Sequence, residues 1–139
     1  MAAAVLDDLR AWSLARIQRP LAEPGDPRAK LQAMTAALSE LYDGGQEPCL
    51  IGLFSIGEPL RQFQGSLKEA LSGLAAAIEG VLLEAGIAAD VARQRAEDAV
   101  IRIQGALVFA RIMEDTGPFE RLLRRLPEQL LEAQSRRRR

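Results

Sequence analysis

The sequence predicts an all-α fold, a helical bundle of about six helices, on three observations. Alanine and leucine, both strong helix formers, recur throughout a chain that is 48% hydrophobic and only 4% aromatic. No long β-branched run of alternating polarity interrupts them, so no sheet is expected. Prolines and glycines punctuate the chain into segments with helical spacing of apolar residues. The 139 residues suit one domain.

The first helix is expected from about Ala2 to Leu21, with Val5, Leu9, Trp12 and Ile17 roughly on one side. "AEPGDP" (Ala22–Pro27) ends it. Asp26 can cap the second helix, and Pro27 suits its first position, where a missing N–H costs nothing. Leu31, Met34, Leu38, Leu41 and Tyr42 form its stripe, and Asp43–Gly45 stops it. "PCLIGLFSIGEP" (Pro48–Pro59) is uncharged up to Glu58. Its length admits a buried strand or a short buried helix, and the all-helical neighbourhood favours the helix. After Pro59 a long helix runs to about Ala85 on a stripe of Leu60, Phe63, Leu67, Leu71, Leu74, Ile78 and Val81, with Gly86 as its C-terminal cap. A further helix spans about Ala89–Glu114 and ends at "DTGP" (Asp115–Pro118). The last carries Phe119, Leu122, Leu123, Leu126 and Leu130 on one face, with a kink or restart expected at Pro127. Residues 1–134 are thus expected to form a single domain, and 135–139 a frayed basic tail.

Charge and cysteine usage exclude several classes of function. The net charge is −1, but four of the 18 basic residues are Arg136–Arg139, leaving 14 against 19 acidic. The body is acidic, which argues against a broad nucleic-acid footprint. There is no His and one Cys, so an internal disulfide is impossible and a thiolate or imidazole metal site is not expected. No cofactor is expected either. The N-terminus carries Asp7 and Asp8 and no basic segment, unlike a signal peptide. No uncharged apolar run reaches membrane-spanning length. These features suggest a soluble cytoplasmic protein that is not membrane-bound.

The helix over Ala96–Asp115, "AEDAVIRIQGALVFARIMED", is apolar on two sides. At 100° per residue, one arc collects Ala92, Ala96, Ala99, Val100, Ile103, Ala106, Leu107 and Ala110. A second, roughly opposite, collects Ile101, Gly105, Val108, Phe109 and Ile112. Arg93, Glu97, Gln104 and Arg111 separate them on one flank, Arg95 and Arg102 on the other. The alanine-rich arc suits close packing inside the domain. The second arc would expose several large side chains, each worth ~1.5–3 kcal/mol when fully buried, and an exposed patch of that kind marks an interface. The simplest partner is the same helix of a second chain, joined by the last helix about a two-fold axis, giving a homodimer through a four-helix interface. The alternative is a helix central in a monomer and buried on both sides.

"LYDGGQEPCLIGLFSIGEP", a long helix ending in "LLEAGI", and "ARQRAEDAVIRIQGALVFARIMEDTGPFERLLRRLPEQLLE" together resemble the C-terminal domain of TetR-family transcriptional regulators, from about Val5 to Glu132. The ordered combination, with "IQGALVFAR" before "GPFERLLRRLP", is the specific part. The resemblance implies a connecting helix (1–21), three helices around an effector pocket, and dimerisation through the last two. It implies a repressor in which a small apolar effector alters DNA binding by a helix-turn-helix. That head is absent from this chain, so the chain itself is not expected to bind an operator, and DNA is reached through a domain not present here. The rival expectation is a stand-alone interaction module, a headless dimer that pairs with other regulators.

Periodicity directs Met34, Leu38, Tyr42, Phe54, Phe63, Leu71 and Leu74 inward, and Gln104 borders the inner arc as a possible polar contact. These eight are the candidate ligand-binding residues, with ordinary core packing as the alternative for each. Cys49 sits in apolar "PCLIGLF", away from positive charge, and reads as a buried inert thiol. Glu58, Glu97 and Asp98 lack a nucleophile, a His or a metal set beside them, so no enzymatic activity is expected. They read as helix-surface charges. Arg136–Arg139 reads as a solvated tail.

Overall fold

The structure, a computed structural model, describes residues 2–47, 49 and 56–133. Five helices and a short 3₁₀ turn make an all-α bundle, with no strand among the described residues. Helix α1 (residues 2–22) is built of Ala2–Ser13, a π-helical turn Leu14–Gln18, and Arg19–Ala22. Helix α2 is Pro27–Leu41, α3 Gly57–Glu84, α4 Ala89–Met113 and α5 Gly117–Leu131. The short helix expected within Pro48–Pro59, and the tail Arg136–Arg139, lie outside the described residues, except for Cys49 and the residues from Ile56 onward.

Local chemistry explains most boundaries. Asp26 caps α2, its carboxylate accepting from the Ala29 N–H at 2.9 Å, with Pro27 first in the helix. After α2 the chain reverses through Asp43–Gly45, where Gly45 has φ +105°. A Cβ there would stand 2.9 Å from Cδ1 of Phe119, so only glycine lets α5 pack this close. Asp115 receives the Gly117 N–H at 2.9 Å and starts α5. That helix continues through a buried Pro127 to Leu131, so the restart expected there does not occur. Arg95 closes the other end of α5, donating to the carbonyls of Leu130 at 2.9 Å and Glu132 at 2.6 Å. A cation at a helix C-terminus is favourably placed.

The π-turn in α1 has a visible cause. Pro20 carries no N–H, and in a regular helix its ring would strike the carbonyl of Arg16. The wider turn moves that carbonyl away, with the Arg19 N–H bonding to the Leu14 carbonyl five residues back.

The core is densest where α4 meets α3 and α5, and where α5 meets α2. Ile78, Val81 and Leu82 of α3, Ala92 of α4, Phe119 and Leu126 of α5 and Leu31 of α2 are fully buried. The alanine-rich arc of α4 lies here, and its Ala96, Ala99, Ile103, Leu107 and Ala110 are all buried. Lys30 ties α1 to this body. Its ammonium, on a buried side chain, donates to the carbonyls of Leu21 at 3.2 Å and Glu23 at 2.9 Å and to the Glu84 carboxylate at 2.7 Å.

Candidate functional site

Between α1 and the bundle lies a cavity of about 290 Å³. Its outer wall is α1, with Leu14, Ile17 and Gln18 of the π-turn turned toward it. Leu38, Leu41 and Tyr42 come from the end of α2, Leu71 and Leu74 from the middle of α3, and Gln104 from α4. The helix spacing of three and four residues explains how each element delivers its residues to one side. A shallower groove between α3 and α4, lined by Ala75, Ala96 and Ile101 among others, encloses about 460 Å³ and opens to solvent.

The cavity is apolar in its body and polar at two places. At its mouth, Arg10 and Glu69 form an ion pair at 2.7 Å, both well exposed. Such an exposed pair adds little stability, but it sets the charge at the entrance. At the inner end, the Tyr42 hydroxyl lies 3.3 Å from the Cys49 sulfur, with Gln104 beside it. Burial pushes the Tyr42 phenol far above its usual value, and neighbouring Cys49 pushes it further, while Gln104 acts the other way. The phenol therefore keeps its proton well above the pH at which a free tyrosine ionises. Tyr42 also meets Phe119 edge to face, ring centres 6.3 Å apart, so the polar end of the cavity is anchored on the core.

Of the eight residues singled out from the sequence, Leu38, Tyr42, Leu71, Leu74 and Gln104 converge on this cavity. Met34 is packed in the core, and Phe63 is half-buried without lining the cavity. Phe54 lies outside the described residues. Sequence reasoning missed the contribution of α1, including Leu14, Ile17 and Gln18. The signal was present in the spacing Asp7, Arg10, Leu14, Ile17, which repeats one helical face, and in Pro20, which disturbs it. Cys49 is buried against Tyr42.

The second arc of α4 is open to solvent. Ile101, Gly105, Val108, Phe109 and Ile112 are all exposed, Ile112 by 75% and Ile101 by 67%, and Met113 extends the patch. The neighbouring outer face of α5 is polar: Arg121, Arg124, Arg125, Glu128 and Gln129 are exposed, and Arg102 of α4 reaches Gln129 at 2.8 Å. Glu97 pairs with Arg93 one turn before it, at 3.3 Å, and Glu58 with Arg61. Among the described residues no cluster of His, Cys, Asp and Glu could hold a metal, and no helix is long and apolar enough to cross a membrane.

The family model of the LmrA/YxaF-like transcriptional regulator C-terminal domain, a TetR-type domain, matches residues 27–125. The match takes in α2, α3, α4 and the first half of α5. Such domains are regulatory rather than enzymatic, and typically form the ligand-binding and dimerising part of a regulator. No curated protein and no solved structure matches the chain.

Proposed function

The chain belongs to the family of LmrA/YxaF-like transcriptional regulator C-terminal domains, and from that premise we propose that it senses a small apolar molecule and pairs two copies of a cytoplasmic repressor. The observation that carries the sensing half is the wall of the cavity. A molecule lodged among Leu38, Leu71 and Leu74 also rests on Leu14 and Ile17 of α1. In TetR-type regulators the helix in this position leads to the DNA-reading head, which lies outside this chain. Occupancy shifts that head by favouring one placement of α1 over another, and only to the extent that the ligand binds the two placements differently. Residues 1–134 act in this reading as one sensing and dimerising unit.

Thermal unfolding against a collection of apolar compounds tests it, with Leu74→Trp, which fills the cavity, run beside the native chain. A ligand at 100 times its Kd adds about 2.7 kcal/mol of stability. Compounds that raise the melting temperature of the native chain and not of the variant support the reading. Stabilisation indifferent to Leu74→Trp, or none across the collection, overturns it.

The pairing half rests on the outer arc of α4. Five exposed apolar or glycine positions over about three helical turns form a patch that a lone domain leaves in water. A second copy related by a two-fold axis covers it, with Gly105 permitting close approach of the two helices. Light scattering at micromolar concentration is expected to give twice 15.2 kDa, and Val108→Glu or Ile112→Glu to give the single mass with the helix content unchanged. A native chain already monomeric at that concentration refutes the pairing.

A further inference from the structure

Gln18 stands out among the cavity's polar groups. Its side chain is half-buried, faces an apolar wall, and has no hydrogen-bond partner among the described residues. The space it occupies is made by Gly73, inside α3. A Cβ at that position would stand 3.1 Å from both Nε2 and Oε1 of Gln18 and 3.4 Å from its Cδ. A helix-interior glycine weakens its own helix, and here its effect is to let an amide lie against α3. No buried side-chain polar atom among the described residues lacks a partner, so water still reaches the amide of this half-buried residue, and both its donor and its acceptor are open to whatever displaces that water from the cavity.

The other polar groups narrow what that is. Gln104 is turned toward the Tyr42 hydroxyl. Arg10 is the only cation among the described lining residues, and Glu69 holds it at 2.7 Å. Asp7 adds a second carboxylate at the mouth. An anion entering here would meet two carboxylates and a cation already neutralised. A neutral molecule meets no such opposition.

We propose that Gln18 is the polar anchor of the ligand, and that the ligand is a neutral molecule whose apolar body carries a carbonyl, amide or hydroxyl group to that side chain. The proposal rests on the reading of this cavity as the ligand site. The apolar body packs on Leu38, Leu71, Leu74 and Ile17, while the polar group takes the place of water at the amide of Gln18. Because Gln18 lies in the π-turn, the bond also grips α1 between the part paired to α3 through Arg10 and the end held by Lys30.

Three probes of one skeleton separate the parts of this argument: naphthalene, 2-naphthamide and 2-naphthoate, each measured by thermal shift and calorimetric titration on the native chain, on Gln18→Leu and on Gly73→Ala. The native chain is expected to prefer the amide over the hydrocarbon and to take the carboxylate least. Gln18→Leu is expected to lose about fivefold to tenfold in affinity for the amide, the worth of one neutral hydrogen bond, while keeping or improving its hold on naphthalene. Gly73→Ala crowds the amide of Gln18 without removing it and should erode the same preference, which guards against a fold effect of the first variant. If naphthalene and naphthamide bind but their ratio is the same in all three proteins, the anchor is wrong and the cavity stands. Preferred binding of the carboxylate also overturns the anchor. If no probe binds the native chain, the cavity is not a site for such molecules and the proposal falls with it.

Discussion

The two halves of α3 carry one continuous apolar stripe and meet different fates. Toward the C-terminal end, Ile78, Val81 and Leu82 are fully buried against α4 and the rest of the core. Toward the middle, Leu71 and Leu74 are only half-buried and face the cavity under α1. Both halves obey the same spacing of three and four residues. Periodicity therefore states which side of a helix faces inward, and not whether that interior is filled. The difference lies in the partner: the first half meets an alanine-rich helix that can approach closely, the second a helix widened by a π-turn.

The strongest way to break this comparison is to truncate both halves alike. Ile78→Ala removes atoms from a close-packed site and is expected to cost about 3–4 kcal/mol. Leu74→Ala enlarges a space that already exists and should cost only about 1 kcal/mol, since little packing is lost. Urea denaturation of the two variants measures both. Equal losses would mean that the cavity closes in solution and that the two halves are not different.

Gly45 probes the packed half from the opposite side. A methyl group there meets both a backbone at φ +105° and the Phe119 ring at 2.9 Å. Gly45→Ala is expected to cost about 3 kcal/mol from strain and overpacking together, with the melting temperature as readout. Lys30 probes the open half through α1, whose end it ties down beside the buried Ile17 and Leu21. Lys30→Met keeps the apolar stem and leaves the carbonyls of Leu21 and Glu23 without their donor, at a cost of about 2 kcal/mol. Hydrogen exchange should then quicken in residues 14–22 and stay slow in α4. A uniform change across both would show that α1 is no looser than the core.

The same contrast explains what the sequence disclosed. Helix positions were legible because their ends are chemical: Asp26 with Pro27, Gly44 with Gly45, Gly86 at φ +89°. The split of α4 into a buried arc and an exposed one was legible because its two stripes lie on opposite sides of one cylinder, with charged residues between them. At Pro127 the choice between a kink and a restart was not legible, because a proline tolerated within a buried helix looks the same in sequence as one that breaks it. The cavity was half legible. Leu38, Tyr42, Leu71, Leu74 and Gln104 were found from their stripes, but Met34 sits on the same stripe one turn earlier and is packed solid. A void is a property of the gap between helices, and no single helix encodes it. The share of α1 was missed because its π-turn shifts the helical phase at the point where the wall is made.

The smallest effect is expected from Tyr42, at the seam between the packed half and the open one. The chain has one tyrosine, so phenolate absorbance reports on this residue alone. In the unfolded chain the phenol ionises near its ordinary value of 10.0, and in the folded chain burial holds the proton well beyond that. Stability from this source is complete below about pH 10 and declines as pH rises above it, by up to ~1.4 kcal/mol per pH unit, because the unfolded state loses a proton that the native state keeps. Tyr42→Phe is the reference that isolates this one group. The native chain is expected to lose more stability than the variant between pH 9 and about 11, and to show no phenolate absorbance until it unfolds. Phenolate appearing in the folded protein near pH 10 would mean that water reaches the inner end of the cavity. The boundary between the two halves would then lie deeper than Tyr42, and the polar end of the cavity would be wet rather than closed.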